Sequence, residues 1–225
     1  MDYGGLAMKI KNIFFDFDGV IAESVNAKTE AFREMYSVHG HEIAEKVVDF
    51  HINNGGVSRF EKFRYWEKEF FNRDLTESEV QKLANEFSNL VLSKVIESDE
   101  VIGVEDFLRK YSQDLRFWII TGTPTTEIRI IVKKRRLDDY FIGLHGSPEN
   151  KKYWTEFLIE EHGLSREETL FLGDATTDYD AAQHSRLHFA LRDNEENSGL
   201  FEEYKGLRFN DFNELEEILL NNKML

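Results

Sequence analysis

A series of short apolar runs that alternate with helical patterns is the feature that most constrains the fold of this chain. The runs are rich in β-branched and aromatic residues and span residues 10–15, 116–120, 141–144, 169–172 and 187–191. Helical patterns follow the second, third and fourth runs, at residues 124–136, 149–161 and 175–184. This alternation predicts a doubly wound, Rossmann-like α/β fold, in which helices cover both faces of a parallel sheet.

The stretch between the first run and the second, residues 22–99, has a different character. It contains no strand-like run, but apolar residues recur there at helical spacing in three groups. The groups are Phe32, Met35 and Tyr36; Phe60, Phe63, Phe70 and Phe71; and Val80, Leu83, Phe87, Leu90 and Val91. We therefore predict an all-α domain at residues 23–99, inserted into a core domain formed by residues 9–22 and 100–225.

Composition limits the classes of partner. The formal net charge of −15 repels nucleic acid and anionic membrane surfaces, and no basic patch offsets it. No stretch approaches the roughly 20 apolar residues that a membrane span needs. The absence of cysteine excludes disulfides, thiolate metal sites and cysteine nucleophiles, and favours the cytoplasm. Residues 1–7 are expected to be an ill-ordered leader, and the sequence carries no signal for an oligomeric state.

Two acids, Asp16 and Asp18, directly follow the first apolar run in the segment Asp-Phe-Asp-Gly-Val. In an open α/β sheet the carboxyl ends of the strands form the ligand crevice, so these carboxylates would project towards a bound molecule. A simpler interpretation is that one acid caps the following turn and that Gly19 permits the geometry of this turn.

A second acid pair, Asp174 and Asp178, follows the fourth apolar run. Asp178 would lie one helical turn beyond Asp174, on the same side. The alternative is an N-capping Asp174 and a solvent-facing Asp178 that the helix dipole favours. Two acid pairs at strand ends would place clustered oxygen ligands at one edge of the sheet, and such ligands suit Mg²⁺.

Two further polar groups stand at the remaining strand ends. Thr121 and Gly122 follow the second run, and Lys151 follows the loop after the third run. A hydroxyl and backbone amides can hold phosphoryl oxygens, and an ammonium can balance the charge on a nucleophile and on a transferring group. Taken singly, Thr121 could cap a helix and Lys151 could be a solvated charge. Lys152 competes with Lys151 for the same role.

Together these residues resemble the motifs of the haloacid dehalogenase superfamily, in order and over essentially the whole chain. The superfamily pattern of two acids, a strand-terminal Thr or Ser, a Lys and a closing acid pair is met by Asp16, Asp18, Thr121, Lys151, Asp174 and Asp178. The insertion resembles the helical cap of the branch that contains phosphoglycolate phosphatase and β-phosphoglucomutase. The resemblance implies an α/β core with an all-α cap and a small phosphorylated metabolite as substrate.

The resemblance also implies a mechanism. Asp16 would attack the phosphorus of a monoester and form an aspartyl-phosphate. Asp18 would protonate the leaving alkoxide and then deprotonate the water that hydrolyses the intermediate. Mg²⁺ would be held by the Asp16 carboxylate, the Asp18 carbonyl and Asp174, with Asp178 supporting the waters of the metal.

Three other functions share parts of this pattern. A phosphomutase uses the same nucleophile and acid but returns the phosphoryl group to a second hydroxyl group. A receiver-like signalling domain also collects acids, a Thr and a Lys at strand ends, but it lacks a cap and an acid like Asp18 that hastens dephosphorylation. A silent binding protein on the same scaffold would not need the complete set of polar groups. We therefore expect a Mg²⁺-dependent phosphatase.

The insertion carries one candidate for substrate recognition, beside the Asn53-Asn54-Gly55-Gly56 loop. Ser58 and Glu61 resemble a capping box that opens a helix, on which Arg59 and Lys62 stand three residues apart. Such charges often form a solvated face. However, an acidic protein needs cations where it meets an anionic substrate, and the loop glycines permit close approach to a ligand. We predict that Arg59 and Lys62 face the active site and help to hold the leaving group.

Overall fold

Six parallel strands form one sheet at the centre of the protein, whose computed structural model describes residues 9–225. The strands are β1 Asn12–Phe15, β2 Arg116–Pro124, β3 Gly143–Ser147, β4 Thr169–Gly173, β5 His188–Arg192 and β6 Leu207–Phe209. Their order across the sheet is β3-β2-β1-β4-β5-β6. The predicted doubly wound α/β fold is confirmed; the expected leader at residues 1–7 lies outside the described residues.

Helices cover both faces of this sheet, and four of them form the insertion between β1 and β2. The inserted helices are α1 Val25–Ser37, α2 His41–Asn53, α3 Arg59–Phe71 and α4 Glu77–Glu97. The helices of the core are α5 Val104–Tyr111, α6 Thr125–Lys134, α7 Lys151–His162, α8 Thr176–His184 and α9 Phe212–Asn221. Within residues 9–225, no helix is both long and apolar enough to cross a membrane.

Aromatic side chains pack on both faces of the sheet, which explains why the strands read as nearly continuous apolar runs. On one face, Phe14 meets Trp118 and Phe171 edge to face, with ring centroids 5.7 and 6.3 Å apart. On the other face, Phe15 meets Phe117 at 5.1 Å. Successive residues of β1 therefore serve two separate apolar layers, as the period of two along a strand requires.

The insertion is an all-α cap with its own aromatic core. Phe32 of α1 stacks on Phe87 of α4 at 4.0 Å, and Trp66 of α3 packs edge to face against Phe32 at 4.9 Å. The two chain segments that join it to the core run side by side, because the backbone N–H of Glu23 donates to the carbonyl oxygen of Asp99 (2.9 Å). The chain therefore enters and leaves the insertion at the same place. This supports the division at residues 23–99, which we retain as a proposal.

Two details differ from the sequence prediction. The strand β2 extends to Pro124 and not to Ile120, because a register shift after Ile120 lets Pro124 pair with Ser147 of β3. The edge strand β6 was not predicted, since it has only three residues and includes the exposed Arg208. The longer β2 matters for the site, because the strand continues beyond Thr121 at the carboxyl edge of the sheet.

Candidate active site

The site lies at the carboxyl edge of the sheet, where the strand order changes direction. The strand β1 lies between β2 and β4, so its following loop opens into the crevice where α/β proteins bind ligands. Asp16 follows β1, Asp174 follows β4, and Thr121 lies near the end of β2. The topology therefore brings together residues that are more than 100 positions apart in the sequence.

Three acids form a compact buried cluster at this edge. Carboxylate oxygens of Asp16, Asp174 and Asp178 all lie within 4.8 Å of one another. Burial raises the pKa of Asp174 well above its usual value, and the charges of Asp16 and Asp178 add to this effect. Burial also raises the pKa of Asp178 to about 7, although Lys151 opposes the change. This concentration of hard oxygen ligands fits a divalent cation such as Mg²⁺.

Lys151 is the basic group that reaches the acid cluster. Its Nζ donates to Asp16 Oδ2 at 2.6 Å and to Asp178 Oδ1 at 2.5 Å. Burial acts to lower the pKa of Lys151, but the two carboxylates outweigh it and raise the pKa. Lys152 instead points outward, 48% exposed, towards Asp180 at 3.9 Å. The first lysine of α7 therefore has the geometry expected of the motif lysine.

The Asp18 side chain is held apart from this cluster by groups that the sequence analysis missed. Ser24 Oγ donates to its Oδ1 (2.6 Å), Thr123 Oγ1 donates to its Oδ2 (3.1 Å), and Lys28 Nζ contacts Oδ2 directly. Burial acts to raise the pKa of Asp18, but the Lys28 charge and these hydrogen bonds outweigh it and lower the pKa. Asp18 is thus a carboxylate in this geometry. Only Thr123 left a sequence signal, since it follows Thr121 at strand spacing.

Two asparagines that sequence analysis also missed orient Asp174. Asn194 Nδ2 donates to Asp174 Oδ2 at 2.9 Å, and Asn197 Nδ2 donates to the Asp174 carbonyl oxygen at 2.8 Å. Gly19 leaves the space that this carboxylate occupies, because a Cβ there would lie 2.1 Å from Asp174 Oδ2. The two asparagines of the loop after β5 and the missing side chain at Gly19 therefore fix the position of Asp174.

The cap loop rests directly on the core at Gly122. A Cβ on Gly122 would lie 2.6 Å from the carbonyl oxygen of Gly56, and one on Gly56 would lie 1.9 Å from Thr177 Oγ1. Thr177 Oγ1 also donates to the carbonyl oxygen of Gly55 at 3.0 Å. The cap loop therefore places its backbone against the core beside Thr121.

Arg59 and Lys62 are both buried, at 4% and 2% exposure, so the solvated-face interpretation is wrong. The Ser58 hydroxyl caps α3 by accepting from the backbone N–H of Glu61 (3.3 Å). Arg59 forms a two-pronged ion pair with Glu127 of the core helix α6, at 2.9 and 2.6 Å. Lys62 Nζ instead lies 2.6 Å from His51 Nδ1 of α2.

One cavity connects the cap side chains with the reactive edge of the core. It has a volume of about 80 Å³, enough for roughly three water molecules at their volume in the liquid. Asp16, Asp18 and Thr121 line it from the core, and Arg59 and Lys62 line it from the cap. A molecule bound there would be enclosed by both domains.

Comparison with protein families identifies the class. Residues 13–191, well over half of the chain, match the family of haloacid dehalogenase-like hydrolases. The chain belongs to this family, and the resemblance inferred from the four motifs is confirmed. No curated protein sequence matches the chain at a significant level.

Solved structures of low sequence identity share the complete fold. A predicted phosphoglycolate phosphatase from Haemophilus somnus is 19% identical, with a TM-score of 0.70 over 96% of this chain and 99% of that one. A β-phosphoglucomutase from Clostridium difficile is 20% identical, with a TM-score of 0.73 over 95% and 97%. CbbY from Rhodobacter sphaeroides, solved with xylulose-1,5-bisphosphate, is 15% identical, with a TM-score of 0.70 over 92% and 96%. The cap and the core are therefore both features of this fold.

Proposed function

We propose that the protein is a Mg²⁺-dependent phosphatase that hydrolyses a small phosphate monoester through an aspartyl-phosphate on Asp16. The observation that carries this proposal is the buried contact of Asp16 with Lys151, within 4.8 Å of two further carboxylates and beside a cavity lined by both core and cap. A carboxylate held in this way is a nucleophile for a phosphoryl group, and its neighbours can balance the charge of the transferred group.

The first step forms a bond between an Asp16 oxygen and phosphorus and breaks the ester bond to the leaving group. Asp16 is oriented for this attack because its Oδ1 accepts from the backbone N–H of Phe17 (2.6 Å) and its Oδ2 accepts from Lys151. Lys151 and the Thr121 hydroxyl, together with the backbone of Gly122, would bind phosphoryl oxygens. Mg²⁺, held by Asp16, Asp174, Asp178 and the Asp18 carbonyl, would supply Lewis-acid stabilisation of negative charge on the phosphoryl group.

The second step needs a base, and Asp18 is held in its ionised form by Lys28. As a carboxylate it can take a proton from the water that attacks the aspartyl-phosphate. The first step instead needs a proton on Asp18 for the leaving alkoxide, so the contact with Lys28 must loosen when substrate is bound.

Hydrolysis of p-nitrophenyl phosphate is expected to require Mg²⁺. Activity should fall by at least about 100-fold when EDTA removes the metal, because the three clustered carboxylates otherwise repel the phosphoryl group. The measurement is p-nitrophenolate release with and without MgCl₂, and readdition of Mg²⁺ serves as the control for reversibility. Full activity in EDTA would contradict the proposal, and stable phosphorylation without turnover would favour a receiver-like protein.

A phosphomutase remains the second candidate, because the fold matches that of a β-phosphoglucomutase as closely as that of a phosphatase. The two functions differ in whether water or a second hydroxyl group accepts the phosphoryl group. Incubation with a sugar 1-phosphate and its bisphosphate separates them, since a mutase yields the sugar 6-phosphate whereas a phosphatase yields inorganic phosphate.

Asp174→Asn is expected to increase the Mg²⁺ concentration needed for half-maximal activity by at least ~10-fold, because one charged ligand is lost. The melting temperature of the metal-free protein should rise. Burial and the neighbouring acids raise the pKa of Asp174 in the folded protein, so its ionised form destabilises the fold at neutral pH, and a neutral amide removes this cost.

The measurements for this variant are activity against MgCl₂ concentration and thermal melting in EDTA. Asp180→Asn is the control, since Asp180 lies on α8, the helix that follows Asp174, but is 60% exposed. An unchanged Mg²⁺ requirement in Asp174→Asn would remove Asp174 from the metal site.

A further inference from the structure

Lys62 differs from the other basic groups of the cavity in having no acidic partner. Lys28 contacts Asp18, and Arg59 is paired with Glu127. Lys62 is only 2% exposed, yet within the described part of the chain its Nζ makes no ion pair and hydrogen bonds to the His51 ring alone. A buried ammonium without a counter-ion is unfavourable unless a ligand supplies the anion.

The charges around Lys62 add to this need for an anion. Lys28 of α1 and Lys151 of α7 both repel its ammonium group, and Glu61 of α3 is the acid that attracts it. Burial, followed by the two lysine charges, lowers the pKa of Lys62 well below its usual value. Burial and Lys62 likewise lower the pKa of His51. The surroundings of this pair therefore disfavour positive charge in the absence of an anion.

His51 offers a second unsatisfied group at the same place. It is 7% exposed, and its Nε2 is buried without a hydrogen-bond partner among the described residues. The ring lies against Phe32, with centroids 4.9 Å apart, and Phe32 and Phe87 supply the apolar wall of the cavity. The cap end of the cavity thus combines a cation, an imidazole and an apolar surface.

The same cavity has Asp16 and Asp18 at its core end. We infer that Lys62 and His51 form the binding site for a second anionic group, a carboxylate or a second phosphate, carried by a compact phosphorylated substrate. This inference rests on the proposed function, which positions the phosphoryl group of the substrate at Asp16. The volume of about 80 Å³ favours a short spacer between the two anionic groups.

Three probes with the same two-carbon skeleton test this inference: 2-phosphoglycolate, ethylene glycol bisphosphate and the neutral-ended 2-hydroxyethyl phosphate. With Mg²⁺ present, kcat/KM for phosphate release from the better anionic probe is expected to exceed that for the neutral probe by at least ~10-fold, the size of one charge-assisted hydrogen bond. The anionic probe with the higher kcat/KM identifies the second group as carboxylate or phosphate.

Lys62→Met keeps the length of the side chain and removes its charge. The ratio of kcat/KM between the anionic and the neutral probe should fall to about one in this variant. Lys68→Met is the matched control on the same helix, because Lys68 is 54% exposed and pairs with Asp74, and it should keep the ratio of the unaltered protein.

Calorimetry gives a second readout that does not need catalysis. Binding of the better anionic probe to Asp16→Asn, measured in buffers of different ionisation enthalpy, should take up more protons than binding of the neutral probe, because an anion raises the pKa of Lys62. Equal proton uptake, or a ratio of about one in the unaltered protein, would overturn this inference and leave the proposed function standing. Failure to hydrolyse p-nitrophenyl phosphate would instead overturn the proposed function.

Discussion

Asp16→Asn is expected to reduce turnover by roughly 10⁴-fold or more, the scale of losing a catalytic nucleophile. The amide of the asparagine cannot form the aspartyl-phosphate. Its oxygen can still accept the hydrogen bond that the backbone N–H of Phe17 donates to Asp16 Oδ1 in the unaltered protein. The fold should therefore persist. The measurement is steady-state hydrolysis of p-nitrophenyl phosphate, together with thermal melting to establish that the variant is folded.

The control for this variant is Asp180→Asn, which neutralises an exposed acid on α8 near the same edge of the sheet. It should keep nearly full activity. If Asp16→Asn retained a rate within tenfold of the unaltered protein, the covalent mechanism through Asp16 would be wrong, because an amide at this position cannot form the aspartyl-phosphate.

Lys151→Met is expected to lower kcat at saturating Mg²⁺ by about 10²- to 10³-fold, the scale of losing one preorganised charge in an active site. Lys151 bridges Asp16 and Asp178, so its removal leaves the nucleophile less well oriented and its charge unbalanced. Titration with MgCl₂ separates this loss of rate from a weaker affinity for metal.

Lys152→Met is the neighbouring control, since Lys152 is 48% exposed and lies 3.9 Å from the exposed Asp180. It should have little effect on kcat. The opposite pattern, with Lys152→Met inactive and Lys151→Met active, would assign the motif to the second lysine.

The fold and the acidic residues of the site could be predicted from sequence because both leave local signals. Each strand of the sheet interior is a short apolar run, and Asp16 and Asp174 directly follow two of them. Other groups around the site left weaker signals. Lys28 and His51 reach the cavity only when α1 and α2 pack beside it, and Glu127 meets Arg59 only when α6 packs against the cap. No spacing along the chain reveals these contacts.

The helix α3 shows why the cap was harder to interpret. From the sequence, Arg59 and Lys62 could form a solvated face or face the active site. In the structure, Arg59 and Lys62 belong to the same buried stripe as Phe63 and Trp66, at the spacing i, i+3, i+4 and i+7. Helical periodicity is compatible with this buried stripe, but it cannot show that Glu127 of α6 pairs with Arg59 or that a cavity lies beside Lys62.

The backbone contact between the cap loop and the core also limits how this protein can be recombined. Gly56 adopts φ +74° against Thr177, and its carbonyl oxygen fills the space where Gly122 lacks a side chain. A foreign cap grafted onto this core must therefore present a residue without a Cβ at position 56, and a foreign core must do the same at position 122. Chimaeras within this family are therefore best designed with glycine kept at both positions.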